Sequence, residues 1–181
     1  MAGRHVRQEE AAMIHLYCGD GKGKTTCAMG LALRALGRDW RVVIAQFLKS
    51  EDSGERRILS GLSGVHLLPL PPEAPFTFAM TEAERAEAAE RASALLDDAH
   101  ALLAPGVLLV LDEVCPAIAA GLLPLHAVTG LLDACPAGAE VVLTGRAPDL
   151  ALVARADYIT EMKSRRHPYE SGARARSGIE F

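Results

Sequence analysis

The chain has 181 residues, half of them apolar, 23% charged and 4% aromatic, with a formal net charge of −4. This length fits one domain over residues 1–181, while a negative charge with few aromatic rings argues against nucleic acid as a partner. No apolar run is long enough to span a membrane, and the polar arm over residues 1–12 lacks the apolar segment of a secretory signal. The four cysteines form no CxxC pair. We therefore expect reduced thiols and a cytoplasmic protein.

The first predicted elements are a strand and a helix joined by a glycine-rich loop. The apolar run Ile14–Tyr17 predicts the strand, and a helical pattern covers residues 24–36. The loop and the start of the helix read Gly19-Asp20-Gly21-Lys22-Gly23-Lys24-Thr25-Thr26. This order is typical of a P-loop, in which backbone amides and the positive helix end face a bound phosphate.

We predict that all eight residues 19–26 bind a nucleotide. Lys24 is expected to reach the phosphate oxygens, and the Thr25 hydroxyl is expected to ligate Mg²⁺. Cys18 occupies the position where the usual pattern has its first glycine. Gly19 and Gly21 are therefore expected to supply the turn instead.

Strands and helices alternate along the rest of the chain. The predicted strands are Arg41–Phe47, Val65–Leu68, Val107–Glu113, Val141–Thr144 and Tyr158–Met162. The predicted helices include a short one within residues 49–57, one from Thr81 to about Leu103, a helical region 114–134 interrupted at Gly121 and Pro124, and a short one at residues 148–154. Thr81 and Glu84 form a capping box at the start of the long helix. This alternation predicts an α/β fold, a three-layer α/β/α arrangement around a mostly parallel central sheet.

Asp112 and Glu113 follow a continuous apolar run, which is the Walker B pattern. Because ligands of open α/β sheets bind at the carboxyl ends of the strands, we expect these carboxylates near the loop. We predict that Thr25, Asp112 and Glu113 hold Mg²⁺ or Mn²⁺. Lys24, Thr25 and Glu113 are the predicted catalytic residues.

These residues leave two chemistries open. A clamped triphosphate can lose its γ-phosphoryl group to water or to an acceptor, as in an ATPase or a small-molecule kinase, with Glu113 orienting the water. Alternatively, the whole triphosphate can leave when a nucleophile attacks the 5′ carbon of the ribose. In both reactions Lys24 and the metal stabilise charge on the phosphate oxygens.

Segments that resemble one known protein family extend over nearly the whole chain. They are Gly19–Thr26, Gly30, Arg34–Gly37, Val43–Lys49, Gly54-Glu55, Leu109–Glu113, Leu143–Arg146, Ala156–Met162, His167–Gly172 and Ala175–Phe181. In this order they resemble the ATP:corrinoid adenosyltransferases of the CobA/CobO type, among them the cob(I)yrinic acid a,c-diamide adenosyltransferases.

The resemblance implies a homodimeric, single-domain P-loop NTPase of the RecA-like type. It implies transfer of the 5′-deoxyadenosyl group of MgATP to the cobalt of a reduced cob(I) corrinoid, with release of triphosphate, in adenosylcobalamin biosynthesis or corrinoid salvage. An external flavoprotein or similar donor would supply the electron. A nucleotide-gated module that only delivers the adenosylated corrinoid is the remaining alternative.

The resemblance also suggests where the corrinoid binds. Family members often carry Phe-Thr-Trp before the long helix, where this chain has Phe76-Thr77-Phe78. We expect Phe76, Phe78, Met80 and Arg146 to contact the corrinoid, although the apolar three could simply pack their loop onto the sheet. The tail over residues 164–181, which includes His167, is expected to pack near the active site.

Overall fold

The computed structural model describes residues 11–49, 53–70, 80–166, 168, 172 and 176–179. Its strands are β1 Met13–Cys18, β2 Arg41–Gln46, β3 Val65–Leu67, β4 Val107–Asp112, β5 Glu140–Thr144 and β6 Tyr158–Glu161. Its helices are α1 Lys24–Leu36, α2 Gly54–Leu59, α3 Glu82–Leu102, α4 Val114–Ala119, α5 Leu125–Asp133 and α6 Leu150–Val153. The predicted alternation of strands and helices is confirmed. Phe76, Phe78, His167 and residues 1–10 lie outside the described residues.

The strands form one sheet in the order β3-β2-β4-β5-β1-β6. Every pairing is parallel, so the predicted parallel sheet is confirmed. All strands consequently end at the same edge, to which β1, β2, β4 and β5 each deliver their last side chain. Functional residues that are far apart in sequence can meet there.

Helices cover both faces of the sheet because side chains alternate along each strand. In β2, Val42 and Ile44 pack with the residues of α1, while Val43 and Ala45 pack with those of α3. All six residues of β4 are buried, which explains its continuous apolar run. The core therefore fixes β4 firmly, and Asp112 at its end takes a defined position.

Local signals account for the helix ends. The Thr81 hydroxyl accepts from the Glu84 amide at 3.3 Å, and the Glu84 carboxylate accepts from the Thr81 amide at 2.8 Å. The predicted capping box is thus confirmed. The interruption predicted at Gly121 and Pro124 is also confirmed, since α4 ends before it and α5 begins after it. In the described part of the chain, no helix combines the length and hydropathy needed to cross a bilayer.

Candidate functional site

The glycine-rich loop between β1 and α1 is anchored by backbone hydrogen bonds to the ends of neighbouring strands. The Gly19 amide donates to the Arg146 carbonyl at 3.0 Å, beyond β5. The Gly21 amide donates to the Met162 carbonyl at 2.7 Å, and the Met162 amide donates to Cys18 at 2.8 Å, beyond β6. The loop is therefore shaped by the fold before any ligand arrives.

The loop glycines serve different purposes, which corrects one prediction. Gly19 and Gly23 have φ angles of +101° and +114°, the left-handed region that glycine favours. Gly21 does not take a positive φ, so the turn is made by Gly19 and Gly23 rather than by Gly19 and Gly21. Gly21 is needed for a different reason: a Cβ there would lie 2.8 Å from the carbonyl carbon and oxygen of Met162.

Lys24 stands at the first position of α1 with only 8% of its surface exposed. Its Nζ donates to the carbonyl oxygens of Gly19 at 2.8 Å and Gly21 at 2.7 Å. The ammonium is thereby held over the middle of the loop. Gly23 is the N-cap, so no side chain caps the helix and the first-turn amides face the loop. This is a suitable anion site.

Asp112 is the centre of a buried polar network and is 0% exposed. Its carboxylate accepts from the Thr25 hydroxyl at 2.9 Å and the Thr144 hydroxyl at 2.7 Å. It also accepts from Gln46 Nε2 at 3.1 Å and contacts Lys49 Nζ at 2.9 Å. Burial by itself would raise the pKa of Asp112, but the charge of Lys49 and these hydrogen bonds outweigh it and lower the pKa. Asp112 is consequently an ionised, fixed carboxylate.

Glu113 leaves the strand in a strained conformation, with φ +59° and ψ +27°. A left-handed backbone is unfavourable for glutamate, so surrounding contacts must hold it. One of them is the hydrogen bond from the Glu113 amide to the Thr144 hydroxyl at 2.8 Å. Burial, followed by the charge of Asp112, raises the pKa of Glu113. This left-handed backbone conformation turns the chain at the end of β4, and Glu113 lines the cleft beside the loop.

A cleft of about 780 Å³ opens over the loop and the end of β4. This volume suits a nucleotide-sized ligand. Its described lining carries four cationic and three carboxylate side chains: Lys22, Lys24, Lys49, Arg146, Asp20, Glu55 and Glu113. The predicted loop residues 20–26, Glu113 of the Walker B pattern and Arg146 therefore line one cleft, whereas Gly19 and the buried Asp112 are not in its described lining.

Other predicted residues have contacts that qualify their expected roles. The Asp20 carboxylate accepts from the Ser164 amide at 3.0 Å, a contact that fixes the loop. Lys22 Nζ donates to the Ile179 carbonyl at 3.0 Å, so part of the C-terminal tail lies beside the loop. Met80 is half-buried just before α3, and the described lining of the cleft does not include it.

Sequence reasoning missed the residues that surround Asp112. Gln46 and Thr144 are polar side chains that end apolar strands at the same edge as Asp112, a signal that could have identified both. Gln46 is held in turn by Arg56, whose Nη1 donates to Gln46 Oε1 at 3.1 Å. Lys49 lies three residues beyond β2, at the end of the family-like segment Val43–Lys49, but nothing in that segment predicts its contact with Asp112.

Metal binding at this site would have to involve few protein ligands. The described residues contain no cluster of three or more His, Cys, Asp or Glu side chains that could hold an ion by itself. Mg²⁺, however, is usually held by one or two carboxylates together with water and phosphate oxygens. Thr25 Oγ1 and Asp112 Oδ1, 2.9 Å apart, are a hydroxyl and a carboxylate oxygen that could act together as metal ligands in this way.

Comparison with known proteins identifies the family. The model of the family "ATP:corrinoid adenosyltransferase BtuR/CobO/CobP" matches residues 10–181. "Corrinoid adenosyltransferase CobA" of Salmonella typhimurium is 34% identical over 177 residues, which cover 96% of this chain and 88% of that protein. "Corrinoid adenosyltransferase" of Pseudomonas aeruginosa is 34% identical over 184 residues, covering 96% and 86% respectively.

A third relative, "Corrinoid adenosyltransferase" of Escherichia coli strain K12, is 33% identical over 177 residues and covers 96% of this chain and 88% of its own length. These matches confirm the family expected from the sequence, and with it the enzyme class, a transferase. They extend over the loop, the end of β4 and the C-terminal tail alike. The chain therefore belongs to the ATP:corrinoid adenosyltransferase family.

Proposed function

We propose that this chain transfers the 5′-deoxyadenosyl group of MgATP to the cobalt of a reduced cob(I) corrinoid and releases triphosphate. The observation that carries the proposal is the family match over residues 10–181, joined to a cleft that has an anion site at one end. In this proposal residues 1–181 form one RecA-like P-loop domain.

The triphosphate would bind at the loop. Support comes from the uncapped N-terminus of α1, from the Lys24 ammonium held over the loop, and from Lys22 and Arg146 in the cleft wall. These three cations outnumber the one carboxylate of the loop, Asp20, which accepts from the Ser164 amide at 3.0 Å. Lys24 and the first-turn amides would stabilise the charge that develops on the leaving triphosphate.

The Thr25 hydroxyl and the Asp112 carboxylate fit a Mg²⁺ ion, and Glu113, which lines the same cleft as Thr25, would be a further oxygen ligand. Bound there, Mg²⁺ would neutralise negative charge on the phosphate oxygens. Asp112 suits this role because it is already ionised and oriented by Thr144 and Gln46.

The reaction needs positioning more than proton transfer. The cobalt of the cob(I) corrinoid supplies the electron pair for a new bond to C5′ of the ribose, and the C5′–O bond breaks with its electrons going to triphosphate. No proton moves in this step, so no residue has to act as a general base. The protein would align cobalt, C5′ and the leaving oxygen and keep water away from the reduced metal.

A direct assay tests the proposal. The protein is incubated with MgATP and chemically reduced cobinamide or cobalamin. We expect stoichiometric triphosphate and a light-sensitive alkylcobalt spectrum. ADP with orthophosphate and no spectral change would instead indicate an ATPase or a kinase, and tight corrinoid binding without turnover would indicate a delivery module.

Lys24→Ala should abolish turnover because the ammonium at the phosphate site is lost. Lys163→Ala is the matched control: Lys163 is exposed, pairs with Glu161 at 3.1 Å and is absent from the described lining of the cleft. A Lys24→Ala enzyme with a near-normal rate would contradict the phosphate role.

The corrinoid contacts remain predictions. If Phe76, Phe78 and Met80 form an apolar wall for the corrin ring, Phe78→Ala should raise the KM for the corrinoid and leave the Kd for MgATP unchanged. The homodimer, the external electron donor and the cytoplasmic location are likewise predictions, to be tested by sedimentation, by reconstitution with a reduced flavoprotein and by cell fractionation.

A further inference from the structure

We propose that Lys49 occupies the metal position in the nucleotide-free protein and leaves it when the metal arrives with the triphosphate. The inference rests on the proposed metal site at Thr25 and Asp112. It makes Lys49 a positioning residue, which prepares the site and controls when a divalent cation can enter.

The geometry places the ammonium between the two proposed metal ligands. Lys49 Nζ lies 2.9 Å from Asp112 Oδ2 and donates to Thr25 Oγ1 at 3.2 Å. Mg²⁺ binds its oxygen ligands at about 2.0–2.1 Å and demands octahedral geometry. An ammonium and a divalent cation cannot share these two oxygens, because they would repel each other and compete for the same lone pairs. One must leave before the other binds.

Burial explains why a cation is needed there at all. Asp112 is 0% exposed, and a carboxylate removed from water is unfavourable unless a positive charge compensates it. Lys49 is in direct contact with Asp112 and supplies that charge. With 24% of its own side chain exposed, Lys49 reaches the carboxylate from the solvent side of the cleft. It can therefore withdraw without disturbing the core.

The ammonium also has another partner nearby. Glu55 Oε1, in the first turn of α2, lies 3.5 Å from Lys49 Nζ, and both residues line the cleft. A displaced Lys49 could turn towards Glu55 and the incoming phosphates without losing all its ionic contacts. Metal complexed to a triphosphate would thus displace Lys49 more easily than free metal, because only the complex brings new anionic partners for the ammonium.

The test measures Mn²⁺, which electron paramagnetic resonance detects, binding to the protein without nucleotide. Wild type should bind it weakly. Lys49→Met should bind it at least about tenfold more tightly, since a competing cation is gone and Asp112 is left uncompensated. Lys49→Met combined with Asp112→Asn should lose this gain. Lys163→Met, the matched control at an exposed lysine, should behave like wild type.

Stability gives a second measurement in case Lys49→Met folds poorly. Bound Mn²⁺ should replace the missing ammonium, so Mn²⁺ should raise the melting temperature of Lys49→Met more than that of wild type. Lys49→Gln, which keeps an N–H donor for Asp112 but no charge, should gain Mn²⁺ affinity to a smaller extent. A folded Lys49→Met protein without tighter binding would overturn the inference. So would variants at Lys49 that remain unfolded in saturating Mn²⁺.

The inference and the proposed metal site fail in different ways. If wild type and Asp112→Asn bind Mn²⁺ equally well in the presence of ATP, the proposed metal site is wrong. If that binding depends on Asp112 but Lys49→Met gains nothing without nucleotide, only the role of Lys49 is wrong.

Discussion

Replacing Thr144 by valine is the sharpest test of the network around Asp112. Valine has nearly the same shape as threonine, so packing at this fully buried position is preserved while the hydroxyl is removed. That single hydroxyl donates to Asp112 at 2.7 Å and accepts from the Glu113 amide at 2.8 Å. The substitution therefore removes both bonds and leaves a strained Glu113 without one of its anchors.

The expected loss of stability follows from these two bonds. A hydrogen bond to a charged group contributes about 1.5–3 kcal/mol, and an unsatisfied buried amide costs about 1–3 kcal/mol. Asp112 keeps three other contacts, to Thr25, Gln46 and Lys49, so its share lies at the low end. We expect a loss of about 2.5–4.5 kcal/mol in the free energy of unfolding. For a protein of this size, the melting temperature should fall by about 5–18 °C.

Urea unfolding measures the stability, and Mn²⁺ binding in the presence of ATP measures the site. Thr144→Ser keeps the hydroxyl and should retain most of both properties. Thr129→Val is the matched control, because the Thr129 hydroxyl donates to the His126 carbonyl at an exposed position; it should stay within about 0.5 kcal/mol of wild type. Thr144→Val protein that is as stable as wild type and binds Mn²⁺ normally would refute this account of the network.

Three further predictions concern other parts of the molecule. Gly21→Ala should weaken MgATP binding by more than about tenfold, because the added Cβ would collide with Met162. Gly30 lies in an exposed turn of α1 with open space around it, so Gly30→Ala should stabilise the protein by about 0.5–1 kcal/mol. Equal MgATP affinities of the two variants would contradict this prediction. Burial raises the pKa of the Cys115 thiol to about 12, so iodoacetamide at pH 8 should modify the exposed Cys27 and spare Cys115, as peptide mass spectrometry would report. Folding lowers the pKa of Asp112, so its ionised carboxylate stabilises the protein above about pH 4, the range of an unfolded aspartate, and this contribution is lost as the pH falls through the folded pKa. The free energy of unfolding of Asp112→Asn should therefore decline less steeply in acid than that of wild type. Identical pH slopes for the two proteins would count against this prediction.

The elements themselves were predictable because their signals are local. The helix α1, the capping box at Thr81 and the breaks at Gly121 and Pro124 all depend on neighbouring residues, and each is where the sequence predicts it. The apolar run before Asp112 predicted a buried central strand for the same reason. Strand alternation with helices then predicted the parallel sheet.

The contacts that individual loop residues make were not predictable from such local signals. That Gly21 is needed for its contact with Met162, and that Asp20 is engaged by Ser164, follows from β6 lying next to β1. Strand order is a property of the whole chain, and no short pattern in the loop records it.

The sequence by itself determined the family, the fold class and the position of the glycine-rich loop between β1 and α1, because these depend on motifs and periodicities within short stretches. Only the tertiary structure decided what surrounds Asp112. Gln46 and Lys49, at the end of β2 and just beyond it, and Thr144, at the end of β5, come from two distant stretches of the chain. They meet at Asp112 because β2 and β5 flank β4 and all three strands end at one edge. A buried carboxylate requires such partners, and the folded sheet brings them within hydrogen-bonding distance.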